Sequence, residues 1–103
     1  MEDDKRMVKS DLTSILSNLM PKVADDLGLS EETQKKAMEI IEKAVEKNVA
    51  GDKNPNSLLA AAIYIAVNET DEWRSQVEIS QALGISKGGL YESYKDLLDE
   101  LDI

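Results

Sequence analysis

The sequence predicts an all-α domain of five helices, with one central hydrophobic helix and a helix-turn-helix at the C-terminal end. Three observations carry this. Apolar residues recur at intervals of three and four, and no window alternates apolar with polar for long. The run Leu58 to Val67 is apolar on every side, and a helix of that kind must be enclosed by others. Near the C-terminus, Gly84 separates two short capped patterns. A length of 103 residues fits a single domain. We expect an acidic flexible leader over 1–9 and one folded unit over 10–103.

The first helix follows from Leu12, Ile15, Leu16, Leu19, Val23 and Leu27, which fall on one face. Pro21 lies on the side away from that stripe and predicts a kink, or a fresh start after Asn18. Gly28 ends the helix. Ser30 caps the second, and Glu31 and Glu32 complement the positive end of its dipole. Its buried stripe is Ala37, Ile40, Ile41, Ala44 and Val45. Its outer face carries Glu31–Lys35, Glu32–Lys36 and Glu39–Lys43, each pair worth about 0.2–0.5 kcal/mol, and reads as a solvated surface.

Residues 50–55 form a turn cluster ending in Pro55. Asp52, Asn54 and Asn56 mimic the first ligands of a calcium loop. Ser57 nevertheless stands where that loop needs Gly, and Ile63 where it needs Glu, so a plain loop is expected. In the central helix, Ala60, Ala61 and Ala62 let neighbours approach closely. The fourth helix is capped by Ser75, carries Val77, Ile79, Ala82 and Leu83 as its apolar set, and stops at Gly84. The fifth starts after Ser86 with Leu90, Tyr94, Leu97, Leu98 and Leu101 inward.

Composition excludes several chemistries. Without Cys there is no disulfide, thiolate zinc site or thiol nucleophile, and without His there is no imidazole base or His-ligated metal. The acidic pairs Asp25-Asp26, Asp71-Glu72 and Asp99-Glu100 cannot converge, because adjacent helical side chains point about 100° apart. No enzyme, cofactor, metal or small-molecule substrate is expected. Leu58–Val67 is about half a membrane span, and Met1-Glu-Asp-Asp has the wrong charge for a secretory signal, so the expected location is cytoplasmic, away from membranes. Asn68-Glu-Thr70 is then a chance glycosylation sequon. The net charge of −9 argues against indiscriminate binding to nucleic acid.

Gln76-Val-Glu-Ile-Ser-Gln-Ala-Leu-Gly84-Ile85-Ser86 has the form of a helix-turn-helix, although helix–Gly–helix turns are also common packing devices. Lys53-Asn-Pro55, Leu58, Ala60 to Ala66, Arg74-Ser-Gln76-x-Glu78-Ile79 and Tyr94-Lys-Asp-Leu97 together resemble the cyclin-like repeat of archaeal transcription factor B, the relative of transcription initiation factor IIB. Met20-Pro21-Lys22 and Asp26-Leu-Gly-Leu-Ser30 resemble the first helix of that family's C-terminal repeat. The likeness runs without a gap from about Leu19 to the end.

The resemblance implies a five-helix cyclin-like fold and a role in archaeal transcription. In the family two such repeats follow a zinc ribbon and grip TATA-binding protein and flanking DNA. The last two helices of the second repeat read a promoter element in the major groove. Carried over residue by residue, that surface falls on Gln76, Ser86, Lys87, Gly88, Gly89, Tyr91 and Ser93, with Arg74 the cation retained beside it. The implied partners are promoter DNA and TATA-binding protein or another protein of the transcription machinery.

This chain departs from the family where DNA is read. It has no zinc-ribbon cysteines and the length of one repeat. The family commonly places Arg at the positions of Trp73, Val77, Tyr91 and Ser93, and Arg supplies both phosphate contacts and guanine readout. Residues 75–103 instead hold six acidic and two basic residues, Lys87 and Lys95. Gly88 and Gly89 each cost about 1 kcal/mol of helix propensity and are expected to delay or loosen the leading turn. Trp73 is either an anchor for a partner or a half-buried side chain closing its loop. Tyr64 and Tyr94 are expected in the core, and Tyr91 at its edge. DNA contact is therefore expected to be weak or dependent on a partner. The alternative is an interaction module that keeps the cyclin-like fold and has lost DNA binding. A chain of this length fits a stand-alone factor or a portion of a longer one.

Overall fold

The computed structural model describes residues 9–48 and 54–102. The expected leader, up to Val8, and residues 50–53 of the turn cluster, with Asp52 and Lys53, lie outside them. Five helices follow in order: α1 Lys9–Leu27, α2 Glu31–Glu46, α3 Pro55–Glu69, α4 Gln76–Leu83 and α5 Lys87–Leu101. The described residues contain no strand, so the all-α class holds.

Helix α3 is the centre. Every residue from Leu58 to Val67 is buried except the half-buried Tyr64, and α3 touches all four other helices. Burial at this scale follows from sequence, because a helix without a polar face loses free energy wherever it meets water. Pro55 begins it, its missing N–H falling where no intrahelical acceptor exists, and the Asn54 side chain accepts the Asn56 N–H at 2.8 Å. Ala60, Ala61 and Ala62 are all fully buried, so the neighbouring helices pack against methyl groups.

Helix α2 buries the expected stripe of Ala37, Ile40, Ile41, Ala44 and Val45, and adds Thr33. Lys36 forms its ion pair across to Glu69 of α3 at 3.2 Å. Helix α1 departs from the expected reading in two ways. It runs unbroken through Pro21, with no fresh start after Asn18. The proline ring faces solvent, and Ser17, whose carbonyl loses its intrahelical partner to that ring, lies on the same exposed side. The buried line also lies slightly round the helix, through Leu16, Met20, Val23 and Ala24, while Ile15 is exposed. Gly28, at φ 68°, turns the chain out of α1, and Leu29 N–H returns to the Ala24 carbonyl at 2.9 Å.

Helices α4 and α5 rest on α3 and on each other. The tightness of the α3 packing can be tested. Ala61→Leu and Ala62→Leu should each overpack this centre and cost about 1–3 kcal/mol. Chemical denaturation should show lower midpoints for both, and an unchanged midpoint would contradict the enclosure of α3.

Candidate nucleic-acid and partner interface

The helix-turn-helix is built from local chemistry. Ser75 and Glu78 form a reciprocal capping box: Glu78 N–H donates to Ser75 Oγ at 3.0 Å, and Ser75 N–H donates to Glu78 Oε1 at 2.9 Å. Gly84 adopts φ 67°, a left-handed conformation that a side chain would strain, and so closes the turn. Asn56 of α3 donates its side-chain amide to the Leu83 carbonyl at 3.3 Å and holds the end of α4 down. Ser86 then caps α5 by accepting Gly89 N–H at 2.9 Å.

The segment leading into α4 ties the motif to the rest of the domain, and sequence reasoning missed it. Asp71, at φ 60°, turns the chain at the end of α3, and Glu72 N–H bonds back to the Val67 carbonyl. The Glu72 carboxylate then caps the start of α2. It accepts Ser30 N–H at 3.0 and 3.1 Å, Ser30 Oγ at 3.0 Å and the hydroxyl of buried Thr33. Two residues on, Arg74 caps the end of α1. Its Nε donates to the Leu27 carbonyl at 2.8 Å, Nη2 to the Gly28 carbonyl at 3.2 Å and Nη1 to the Trp73 carbonyl at 2.8 Å. An anion thus meets a helix N-terminus and a cation a helix C-terminus, each in the sense the helix dipole favours. The sole sequence signal was an acid and an arginine two positions apart beside a cap.

The structure sorts the residues that the resemblance assigned to DNA. Ser86, Lys87 and Gly88 are exposed on the first turn of α5, and Gly89 is half-buried. Neither glycine delays the helix, which begins immediately after its cap. A Cβ on Gly89 would sit 3.3 Å from Ser86 Oγ and 3.5 Å from Ser57 Oγ, so small size serves packing there, whereas one on Gly88 would meet Ser86 Oγ at an unstrained 4.0 Å. Tyr91 is 47% exposed, with Lys95 Nζ 5.6 Å from its ring centroid. Gln76 is half-buried and donates to Tyr64 Oη at 3.3 Å. Ser93 is 6% exposed and points inward beside Leu90 and Leu97, away from the others. Arg74 is held by the three carbonyls.

Four side chains stand further out than the sequence suggested. Trp73 is 61% exposed, so it does not close its loop as a half-buried residue. Val77, read as inward, is 46% exposed, because α4 presents Ile79, Ser80 and Leu83 to the core instead. Tyr64 and Tyr94 are half-buried rather than core, meeting edge to face with centroids 5.0 Å apart, and Tyr91 follows at 6.2 Å. This aromatic row joins the first turn of α4, through Gln76, to the outer face of α5. Among the described residues no helix is long and apolar enough to cross a membrane.

Five helices, four of them around a buried α3 and the last two forming a helix-turn-helix, define a cyclin-like helical repeat. The family profile described as the transcription factor TFIIB repeat matches residues 11–100. The chain is 48% identical over 77 residues to transcription initiation factor IIB of Sulfurisphaera tokodaii, covering 75% of this chain and 25% of that protein. It is 40% identical over 87 residues to the factor IIB of Methanopyrus kandleri, covering 84% and 28%. It is 37% identical over 82 residues to transcription initiation factor IIB 1 of Thermococcus kodakarensis, covering 80% and 27%. The chain therefore belongs to the transcription factor IIB repeat family, one of transcription factors and not of enzymes. It spans about a quarter of the length of these curated relatives.

The Glu72 cap makes a testable statement about acid stability. The Thr33 hydroxyl, then the Ser30 N–H and hydroxyl, with Arg74 nearby, hold its carboxyl below the usual glutamate value, against a smaller opposing effect of burial. A depressed carboxylate contributes stability above its unfolded value, and this contribution is lost as pH falls through the folded one. Glu72→Gln should therefore lower stability at pH 7 by about 1 kcal/mol, a modest figure because the group is partly solvated. Denaturant melts across pH should show that gap closing below the usual glutamate range. A gap independent of pH would contradict the cap.

Proposed function

We propose that this domain acts in archaeal transcription initiation or its regulation as a TFIIB-type repeat that touches promoter DNA weakly and needs a protein to hold it there. The observation that carries this is the fate of Arg74. Three of its five guanidinium N–H groups donate to the carbonyls of Leu27, Gly28 and Trp73, which fixes the side chain at the end of α1 and limits what it can offer a phosphate. Lys87 and Lys95 are then the cations of residues 75–102, against six carboxylates. Phosphate affinity comes mainly from such cations, and a carboxylate-rich helix entering a groove meets like charge.

DNA contact in this reading lies on the leading turn of α5. Ser86, Lys87 and Gly88 meet the backbone, Lys87 supplies the charge, and Gln76, Gly89 and Tyr91 flank them. The holding partner is TATA-binding protein or another protein of the transcription machinery, gripped in part by Trp73. The relatives' names as initiation factors support that setting. The domain works in the cytoplasm, without membrane, cofactor or small-molecule substrate.

A second reading, an interaction module that has lost DNA binding, is favoured by the exposure of Trp73, Val77 and Tyr91. Titration against duplex DNA at 50 and 200 mM salt separates the two. Weak contact predicts a Kd around or beyond 10⁻⁴–10⁻⁶ M and a salt slope of about 2 or less in magnitude, both lost in Lys87→Glu. No binding at either salt, with TATA-binding protein retained in a pull-down, supports the second reading. Nanomolar affinity for one duplex overturns both.

A further inference from the structure

We infer that Tyr64 is a positioning residue of the helix-turn-helix, its hydroxyl holding the Gln76 side chain in the pose that meets DNA. The inference rests on the weak DNA contact proposed above and adds a residue of α3 to it. The run Leu58 to Val67 contains a single polar side-chain atom, the Tyr64 oxygen, and Tyr64 is the one residue of that run that is not buried. Gln76 Nε2 donates to this oxygen at 3.3 Å, and the Tyr64 ring stands edge to face on Tyr94 with centroids 5.0 Å apart. One side chain of the central helix therefore touches both helices of the motif. Packing does not require the hydroxyl, since phenylalanine would make the same ring contact with no polar atom to satisfy.

Gln76 is fixed from two directions. Its backbone opens α4 directly after Ser75, inside the reciprocal Ser75–Glu78 capping box. Its side chain is then held by α3. The other residues that the resemblance assigns to DNA offer less: Ser86 caps α5, Ser93 faces the core, and Lys87 supplies charge. A glutamine amide has two N–H donors and one acceptor oxygen, and the bond to Tyr64 uses one donor. The oxygen and the second N–H remain, the acceptor and donor that a glutamine uses on a base edge. A side chain already held in place also loses less entropy on making that contact.

The chain has three glutamines, so their side-chain amides can be followed one by one by nuclear magnetic resonance. Gln34 donates to the Leu29 carbonyl at 3.2 Å and Gln81 is exposed, which gives a bonded and an exposed reference. Tyr64→Phe keeps the ring and removes only the hydroxyl. We expect it to speed hydrogen exchange at Gln76 Nε2 about threefold, toward the rate of Gln81, and to leave Gln34 unchanged. In the duplex titration at 50 mM salt, Tyr64→Phe and Gln76→Ala should each weaken binding about threefold, and so should the two together, because both remove one contact. The salt slope should stay that of the parent, since no charge is altered. The far-ultraviolet circular dichroism of every variant should be unchanged. A merely structural hydroxyl would weaken binding as much without Gln76 as with it, giving about ninefold for the pair. Three results would each overturn the proposal: unchanged exchange at Gln76, effects that multiply in the double variant, or binding indifferent to Gln76→Ala. A parent chain that binds no duplex is the separate failure of the underlying reading, and it takes the proposal with it.

Discussion

Everything in this domain depends on keeping water away from α3. A ten-residue apolar run has no solvent face to offer, so the other four helices are arranged around it, and their amphipathic stripes follow from that task. The three consecutive alanines let neighbours come close, which favours a small domain of tightly crossing helices over a loose bundle. The helix-turn-helix is part of the enclosure, because Ile79, Leu83, Leu90 and Leu97 cover α3 while the opposite faces look outward. A binding surface at this end is therefore held by the core itself.

The pose of that surface is set by the six residues joining α3 to α4. Glu72 neutralises the start of α2, Arg74 satisfies the end of α1, and between them they fasten the entry to α4 against two other helices. This has a consequence for chemistry. A guanidinium engaged with three carbonyls contributes rigidity and is less free to reach a phosphate. The residue that looked most like a retained DNA contact instead acts as a bracket for the motif. Residues 75–102 then carry Lys87 and Lys95 as their cations, while Trp73, Val77 and Tyr91 stand exposed at positions where the resemblance implies arginine.

Much of this was legible in the residues. Periodicity and caps located all five helices, since Ser30, Ser75, Ser86, Gly28 and Gly84 mark ends through local hydrogen bonds and backbone angles that depend on nearby residues alone. The stripe of α2, four turns long, was read correctly. Orientation failed where the pattern was short or polar. Helix α4 has eight residues, about two turns, too few for the spacing of Val77, Ile79, Ala82 and Leu83 to distinguish an inward from an outward valine. Ser93 was placed on the DNA-facing surface by the resemblance alone, yet it faces the core beside larger leucines. The roles of Glu72 and Arg74 were invisible, because they bond to residues 42 and 47 positions away.

The central claim is the proposal that a TFIIB-type repeat scaffold is intact here while the face that the resemblance assigns to DNA carries apolar groups in place of cations. Returning arginine to that face tests it most directly. Trp73→Arg, Val77→Arg and Tyr91→Arg, combined in one chain, change exposed side chains and leave α3 and its cover untouched. Duplex binding would be measured against salt for the parent and the triple variant. The account predicts tighter binding, with a salt slope steeper by about 2–3, near 0.9 for each added phosphate contact. An unchanged affinity and slope, with the fold preserved, would contradict it.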